Sequence, residues 1–133
     1  MRVKHIMNRE VIVGRPEMLV EEANELMQQH HISGLPVVDE EGSVLGVFSQ
    51  TDALIKAGQC IGDSMTSPAV TLDQEAGIKE AAALMAAKDI NRLPVLRQGR
   101  LVGLVSRADI VRYVATHHAW VEPRAEDSCP LDT

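Results

Sequence analysis

The sequence predicts an α+β fold built from two β-α-β-β-α repeats, which are related by a pseudo-twofold axis and have their sheets packed against helices. Two observations carry this prediction. The 133-residue chain nearly repeats itself at a spacing of 58 positions, and short apolar runs alternate with helical periods. Half of this chain would bury too little surface to be stable alone, so we expect the repeats to share a core. Aromatic residues make up 2% of the chain, and the core must therefore be aliphatic.

The internal repeat is visible residue by residue. Matched pairs are Pro36 with Pro94 at a spacing of 58, and Ser49 with Ser106 and Asp52 with Asp109 at a spacing of 57. The spacing changes in a turn and the match resumes in the strand that follows, as expected for two copies of one folded unit. The predicted organisation is repeat 1 at residues 1–58, repeat 2 at residues 59–118 and a polar tail at residues 119–133.

The elements of repeat 1 follow from its apolar pattern. A β-branched run predicts a short strand at residues 11–13, and apolar residues at helical spacing predict a helix at residues 19–30. Residues 35–38 and 44–48 are apolar on both faces, which is typical of strands covered by helices, and the acidic Gly-containing segment between them predicts a hairpin turn. A short helix is predicted at residues 50–56, before Gly58.

Repeat 2 shows the same order of elements. The predictions are a strand at residues 69–71, a helix at residues 78–88, hairpin strands at residues 93–96 and 101–105, and a closing helix at residues 107–117. The closing helix is longer than its counterpart in repeat 1.

The bulk properties exclude several classes of function. A formal net charge of −6 argues against general binding to nucleic acid or anionic membranes, since both require a basic face. No apolar run approaches the length of a membrane span, and the start of the chain has no apolar signal core. Cys60 and Cys129 lack the spacing of metal or redox sites, so we expect no disulfide framework and a cytoplasmic location.

Charge is distributed unevenly between the repeats. Residues 14–57 contain two basic and eight acidic residues, whereas residues 86–118 contain six basic and two acidic residues. For most of the arginines we expect a solvated surface. One or two of them are candidates for binding a small anion.

Two Ser-x-x-Asp elements have both a structural and a functional interpretation. Ser49 and Ser106 directly precede predicted helices, where serine is a favoured N-cap and an acidic residue three positions later completes a capping box. The functional interpretation uses the same geometry, since Asp52 or Asp109 could accept two hydrogen bonds from a ribose cis-diol at a helix N-terminus that suits anions. Spacing alone favours the cap, and the two interpretations are compatible.

Two glycines lie inside predicted strands. Gly46 and Gly103 would weaken their strands unless a backbone or a ligand has to approach closely. The sequence does not distinguish two reasons for these glycines, which are close packing of another segment and access for a ligand.

Three segments, each present twice in the same order, resemble the CBS domain, a family named after cystathionine β-synthase. The closing segments are residues 46–52 (GVFSQTD) and 103–109 (GLVSRAD), and the central segments are residues 31–39 (HISGLPVVD) and 90–95 (INRLPV). The leading segments are residues 3–7 (VKHIM) and 61–65 (IGDSM). The resemblance covers roughly residues 3–117. It implies a tandem pair that commonly dimerises into a disc, binds adenosine-containing ligands and regulates a linked or partner protein.

The resemblance also implies which residues form two ligand sites. In the family, the closing Asp binds ribose hydroxyls, apolar residues around the central Pro form the adenine slot, and each site combines both repeats. The better site would contain Asp52, Ser49, Thr71, Arg92, Leu93 and Pro94. The weaker site would contain Asp109, Ser106, Arg107, Leu35 and Pro36.

The two implied sites are not equivalent. Thr71 offers the better site a hydroxyl and Arg92 offers it a guanidinium for phosphate, whereas Val13 and Gly34 offer the weaker site neither. Arg107 could steer phosphate, although a solvent-facing arginine is the simpler interpretation. We therefore predict one competent site per chain, centred on Asp52.

Catalytic and metal sites are not predicted. The His30-His31 and His117-His118 pairs lack the spacing and carboxylate context of a helical zinc site. The sequence contains no nucleophile–base pair, Walker loop or dinucleotide-binding glycine motif. We expect no enzymatic activity and no required cofactor.

The sequence thus leads to one functional prediction and two alternatives. The prediction is a cytoplasmic, homodimeric regulatory module that binds AMP, ADP or ATP, with S-adenosylmethionine and NAD as further candidates, and that acts on an unidentified protein partner. Nucleic acid and membranes are not expected as partners. The main alternative is a ligand-free structural dimerisation module, because capping and packing also explain the Ser, Asp and Gly residues. A metal-assisted hydrolase is disfavoured by the lack of metal ligands.

Overall fold

The computed structural model describes residues 1–55 and 58–117. Its main elements are α1 (Val20–Gln29), β1 (Gly34–Val38), β2 (Val44–Ser49), α2 (Gln50–Ile55), α3 (Ile61–Ser64), β3 (Leu72–Asp73), α4 (Ile78–Lys88), β4 (Arg92–Arg97), β5 (Arg100–Ser106) and α5 (Arg107–His117). A short 3-10 helix, Val3–His5, precedes them. The predicted α+β class and the order of helices and hairpins are confirmed.

The two hairpins have the same register. Strands β1 and β2 pair antiparallel and place Pro36 opposite Val47, while β4 and β5 pair antiparallel and place Pro94 opposite Leu104. Both hairpins shift register directly after a matching valine, Val37 in repeat 1 and Val95 in repeat 2. These shared irregularities show that the sequence repeat is a structural repeat.

Both predicted first strands were wrong in position. Residues 11–13 form no strand, and repeat 1 retains only a parallel bridge in which the Gly14 N–H donates to the Pro36 carbonyl at 2.8 Å. Pro16, two residues later, has no N–H to extend a ladder. In repeat 2 the strand is β3, parallel to β4, rather than residues 69–71. In both repeats, the strand pairing begins after the β-branched run on which the strand prediction was based.

The predicted helices are close to those observed. Helices α4 and α5 have the predicted bounds, and α1 is one residue shorter at each end than predicted. In repeat 1 the closing helix α2 is described to Ile55, so the predicted end at residue 56 lies outside the described residues. The predicted tail at residues 119–133 also lies outside them.

The core consists of two hydrophobic clusters, one per repeat, that are completed by exchanged leading segments. Val3 and Met7 pack into the cluster of repeat 2, whereas Ile61 packs into the cluster of repeat 1. Backbone bonds fix this exchange, since the Val3 N–H donates to the Ala76 carbonyl at 2.8 Å and the Ile61 N–H donates to the Met18 carbonyl at 2.9 Å. Neither repeat therefore has a complete core of its own.

The Ser64 hydroxyl, at the end of α3, provides a test of packing in this region. Its side chain is completely buried, and its Oγ atom has no hydrogen-bond partner among residues 1–55 and 58–117. A buried hydroxyl without a partner costs free energy of folding, so we expect Ser64→Ala to raise the free energy of unfolding by about 1 kcal/mol. Chemical denaturation measures this change. A loss of stability in the variant would contradict the assignment of an unsatisfied hydroxyl.

Candidate functional site

A cavity of about 260 Å³ lies between the two repeats, beside Asp52. Repeat 1 contributes Val47, Ser49 and Asp52 to its lining. The remaining lining comes from Thr66, residues 68–70, residues 90–92 and Pro94. The cavity thus combines the closing segment of repeat 1 with two parts of repeat 2, the central segment and the residues that directly follow the leading segment.

The Asp52 carboxylate is held by reciprocal capping at the start of α2. Its Oδ2 atom accepts hydrogen bonds from the Ser49 N–H at 3.0 Å and from the Ser49 hydroxyl at 3.1 Å. In return, the Asp52 N–H donates to Ser49 Oγ at 3.2 Å. The predicted capping box is confirmed, and it fixes the orientation of a carboxylate that is only 5% exposed.

Thr66 supplies a further contact that sequence reasoning missed. Its hydroxyl donates to Asp52 Oδ1 at 3.1 Å, and its backbone bridges to Val47 of β2 at 3.0 and 2.9 Å. The carboxylate is therefore positioned by residues of both repeats. One indication was available, because Thr66 directly follows the repeated leading segment at residues 61–65. A single threonine, however, does not by itself indicate a binding site.

Four of the six residues predicted for this site line the cavity, and two do not. Ser49, Asp52, Arg92 and Pro94 do so, whereas Thr71 is not among the lining residues. Thr71 lies between Val70, which lines the cavity, and Leu72, which begins β3. The hydroxyl that was expected from Thr71 comes from Thr66 instead. Leu93 is completely buried in the core of repeat 2, where it pairs with Val105.

Arg92 spans the two repeats at the rim of the cavity. Its Nη2 atom donates to the Ser33 hydroxyl of repeat 1 at 3.0 Å. Its Nη1 atom lies 3.1 Å from the position that a Cβ atom on Gly34 would occupy, so glycine leaves room for the guanidinium. Arg92 is half-buried as a residue, and its guanidinium brings positive charge to the rim of the cavity and links the central segments of the two repeats.

The Asp109 element repeats the cap but differs in its other contacts. The Ser106 N–H donates to Asp109 Oδ2 at 2.9 Å and the Asp109 N–H donates to Ser106 Oγ at 3.1 Å. Arg112 then forms an ion pair with Asp109 Oδ1 at 2.6 Å. Both carboxylate oxygens are thus engaged within α5 and its cap.

The other residues of the predicted weaker site are dispersed. Leu35 and Pro36 are completely buried in the core of repeat 1. Arg107 lines a surface depression together with Ser106 and Arg112, and its Nη2 atom lies 3.5 Å from the Ile90 carbonyl. The described residues therefore place a cavity around Asp52 and no matching set around Asp109.

The two strand glycines are explained by packing. A Cβ atom on Gly46 would lie 2.6 Å from the Thr66 carbonyl oxygen, and one on Gly103 would lie 3.1 Å from the Asn8 carbonyl oxygen and would also clash with Met7. Because glycine has no side chain, each of these positions leaves room for the leading segment of the other repeat, or for the residue that follows it. Gly46 therefore supports the cavity indirectly, because it lets Thr66 reach Asp52.

Across residues 1–55 and 58–117, no cluster of three or more His, Cys, Asp or Glu side chains is arranged to hold a metal ion. Within the same residues, no helix has the length and apolar character needed to cross a membrane. Cys129 and His118, the second residue of the His117-His118 pair, lie outside the described residues.

Comparison with known proteins adds the family and its ligands. A family model described as the CBS domain matches residues 3–57 and 61–116. CBSX2, a CBS-pair protein of Arabidopsis thaliana, was crystallised in complex with AMP; it is 28% identical and has a TM-score of 0.82 over 86% of this chain and 96% of that one. A second CBS domain pair, in complex with 5′-methylthioadenosine and S-adenosylmethionine, is 28% identical and has a TM-score of 0.80 over 87% of this chain and 97% of that one.

The curated relatives are mostly longer than this chain. An uncharacterized protein of Methanocaldococcus jannaschii is 32% identical over 134 residues, which cover 86% of this chain and 32% of that protein. An inosine-5′-monophosphate dehydrogenase of Korarchaeum cryptofilum is 36% identical over 112 residues, covering 82% of this chain and 23% of the enzyme. The chain thus spans about a third or less of the length of these two relatives.

Proposed function

The chain belongs to the CBS domain family, and we propose that it is a regulatory module that binds an adenosine-containing nucleotide in the cavity beside Asp52. The observation that carries the proposal is the Asp52 carboxylate, which Ser49 and Thr66 orient in a cavity between the repeats. Related pairs in complex with AMP and with S-adenosylmethionine support the ligand class.

The lining suggests how such a nucleotide lies. Adenine fits against the half-buried apolar side chains of Val47 and Val70, and a ribose hydroxyl donates to Asp52. The volume of about 260 Å³ lies just below the usual range of small-molecule sites, about 300 to 1,000 Å³. The open cavity therefore has room for the nucleoside part of the ligand, and the phosphate extends to Arg92 at the rim. This arrangement favours AMP, with ADP, ATP, S-adenosylmethionine and NAD as the other ligands to be compared.

Arg92 provides a physical link between binding and regulation. In the described structure its guanidinium bonds the Ser33 hydroxyl across the two repeats. A ligand phosphate is a stronger, charged acceptor, so it competes with Ser33 for the same guanidinium. Binding then changes the contact between the central segments. This change regulates a partner only if the ligand favours one arrangement over the other.

One site per chain is part of the proposal. At Asp109, the Arg112 ion pair occupies the carboxylate oxygen that corresponds to the Thr66 contact of Asp52. A ribose at Asp109 would have to compete with the charged guanidinium of Arg112, whereas at Asp52 it competes only with the neutral hydroxyl of Thr66 for the same oxygen. We also propose that the module forms a homodimer, acts on a protein partner and is cytoplasmic.

The alternative function is a structural dimerisation module with empty clefts. The observation that favours it is that capping fully explains the Ser and Asp residues and packing explains the glycines. Isothermal titration calorimetry with AMP, ADP, ATP, S-adenosylmethionine and NAD decides between the two. Saturable binding of one or more of these ligands supports the proposal. The absence of binding at millimolar concentrations would favour the structural module.

Replacement of Arg92 separates recognition of the phosphate from recognition of the nucleoside. We expect Arg92→Ala to weaken AMP binding by about tenfold, because a charged hydrogen bond contributes about 1.5 to 3 kcal/mol, and to leave adenosine binding nearly unchanged. Arg97→Ala, at the exposed end of β4, is the matched control. Calorimetry measures both ligands. An equal loss for adenosine and AMP would mean that Arg92 acts through packing alone.

A further inference from the structure

Three arginines of repeat 2 line one surface depression beside α5. The depression has a volume of about 550 Å³, and Arg92, Arg107 and Arg112 contribute to its lining. Within residues 1–55 and 58–117, no acidic residue is among those that line it. In a chain with a formal net charge of −6, three guanidinium groups around one depression create a local positive potential that attracts an anion.

The fold brings Arg92 and Arg107 to the same place. Arg92 lies opposite Ser106 in the β4–β5 ladder, at the end of the hairpin away from its turn. The N–H of Arg107, the next residue after Ser106, donates to the Asn91 carbonyl at 2.7 Å. The start of α5 is therefore fixed beside the central segment, and both arginines border the depression.

The depression lies on the face of α5 that is turned away from the core. Its lining also includes three apolar residues that share one helical face, Ala108, Val111 and Ala115. Ile110 and Tyr113 lie on the opposite face and are buried in the core of repeat 2. The depression is therefore separate from the cleft predicted around Asp109, which would require residues of repeat 1.

The contacts of two of these arginines leave donors for a ligand. The Arg107 Nη2 atom lies 3.5 Å from the Ile90 carbonyl oxygen, which is longer than the usual N–H···O distance of about 2.7 to 3.2 Å. Arg112 forms its ion pair with Asp109 through Nη2, and its side chain remains 63% exposed. Since a guanidinium has five N–H donors, both groups are able to bind an incoming anion.

Repeat 1 has no charge at the corresponding positions. The residues equivalent to Arg92, Arg107 and Arg112, at the spacings of 58 and 57 that relate the repeats, are Gly34, Gln50 and Ile55. The hairpin register is the same in both repeats, so the backbone surroundings correspond. The fold therefore does not require a positive charge at any of these positions, which favours a function for the three arginines of repeat 2.

We propose that this depression is a second binding site, for a diphosphate group. Guanidinium groups bind phosphate oxygens through paired, charged hydrogen bonds. A carboxylate offers two oxygens and one charge, whereas a diphosphate offers several of each and is able to contact more than one arginine. The alanine and valine side chains of the lining form no hydrogen bonds, so the arginines at the rim hold the anion.

The diphosphate group has two possible sources. One is inorganic pyrophosphate, which would bind the depression by itself. The other is a nucleotide such as ADP, because Arg92 lines both the cavity beside Asp52 and the depression, so that a phosphate at Arg92 is followed by the next one. The second source rests on the proposed function, whereas the first is independent of it.

Isothermal titration calorimetry with inorganic pyrophosphate, without nucleotide and at constant ionic strength, tests the site directly. We expect one pyrophosphate per chain and binding that is about threefold to tenfold weaker in Arg107→Gln, because one charged contact at an exposed position is lost. A double variant, Arg107→Gln with Arg112→Gln, should weaken binding further. Arg100→Gln is the matched control, since it makes the same change in charge at the exposed turn end of the same hairpin.

Titration of the same variants with ADP and AMP identifies the source. If a nucleotide supplies the group, Arg107→Gln weakens the binding of ADP more than that of AMP, and Arg100→Gln does not. Dependence on Arg107 in either measurement supports the site. If neither the binding of pyrophosphate nor the difference between ADP and AMP depends on Arg107, the proposal is overturned. A chain that binds pyrophosphate but no nucleotide would contradict the proposed function and leave this site intact.

Discussion

Asp52→Ala is expected to weaken binding of the adenosine ligand by about tenfold to 100-fold. The variant removes a charged acceptor for the ribose, and a hydrogen bond to a charged group contributes about 1.5 to 3 kcal/mol. The carboxylate is already oriented by Ser49 and Thr66 before the ligand arrives, so little ordering is required on binding. Isothermal titration calorimetry with AMP measures the loss.

Asp109→Ala is the matched control for this experiment. Asp52 and Asp109 make the same reciprocal cap, so both variants should lose a similar stability of about 1 kcal/mol. We expect the affinity of Asp109→Ala for AMP to equal that of the parent. If Asp109→Ala loses binding while Asp52→Ala retains it, the two sites have been assigned in the wrong order.

Gly46→Ala is expected to lower both stability and nucleotide affinity. The added Cβ atom would lie 2.6 Å from the Thr66 carbonyl oxygen, which is backbone and cannot move without disturbing its bridge to Val47. Overpacking of this kind typically costs about 1 to 3 kcal/mol of folding free energy. Displacement of Thr66 also removes its contact with Asp52, so AMP binding should weaken. Denaturant unfolding and calorimetry measure the two effects.

Two other glycines provide controls for Gly46→Ala. Gly103→Ala should be destabilising as well, because its Cβ atom would meet Met7 and the Asn8 carbonyl, but it should retain the affinity for AMP. Gly77→Ala, where a Cβ atom meets no atom of the described residues within 4 Å, should also retain the affinity and should lose only the small preference for glycine over alanine at the N-cap of α4. Equal losses of affinity in the Gly46 and Gly103 variants would indicate a global effect of destabilisation.

The sequence predicted the helices and hairpins well because their signals are local. Helices α4 and α5 have the predicted bounds, since apolar spacing marks both helices and the serine cap at Ser106 marks where α5 begins. The first strands were misplaced because their pairing depends on distant partners. Gly14 pairs with Val37 and Leu72 pairs with Val95, and no local pattern specifies either pair.

The site was predictable only in part for a related reason. Ser49, Asp52, Arg92 and Pro94 belong to repeated segments and do line the cavity, although their role in binding stays a prediction. Thr66 was missed because it reaches Asp52 through the exchange of leading segments, which the expectation of one shared core did not include. Thr71 was predicted for the site from the family resemblance. Residues 68–70, which precede β3, line the cavity instead.

Native mass spectrometry of the purified protein with AMP, ADP, ATP, S-adenosylmethionine and NAD tests the central claim most directly, because it counts ligands per chain. We predict one adenosine-containing ligand per chain, retained in Asp109→Ala and absent in Asp52→Ala. Two ligands per chain, or none at millimolar concentration, would contradict a single competent site beside Asp52.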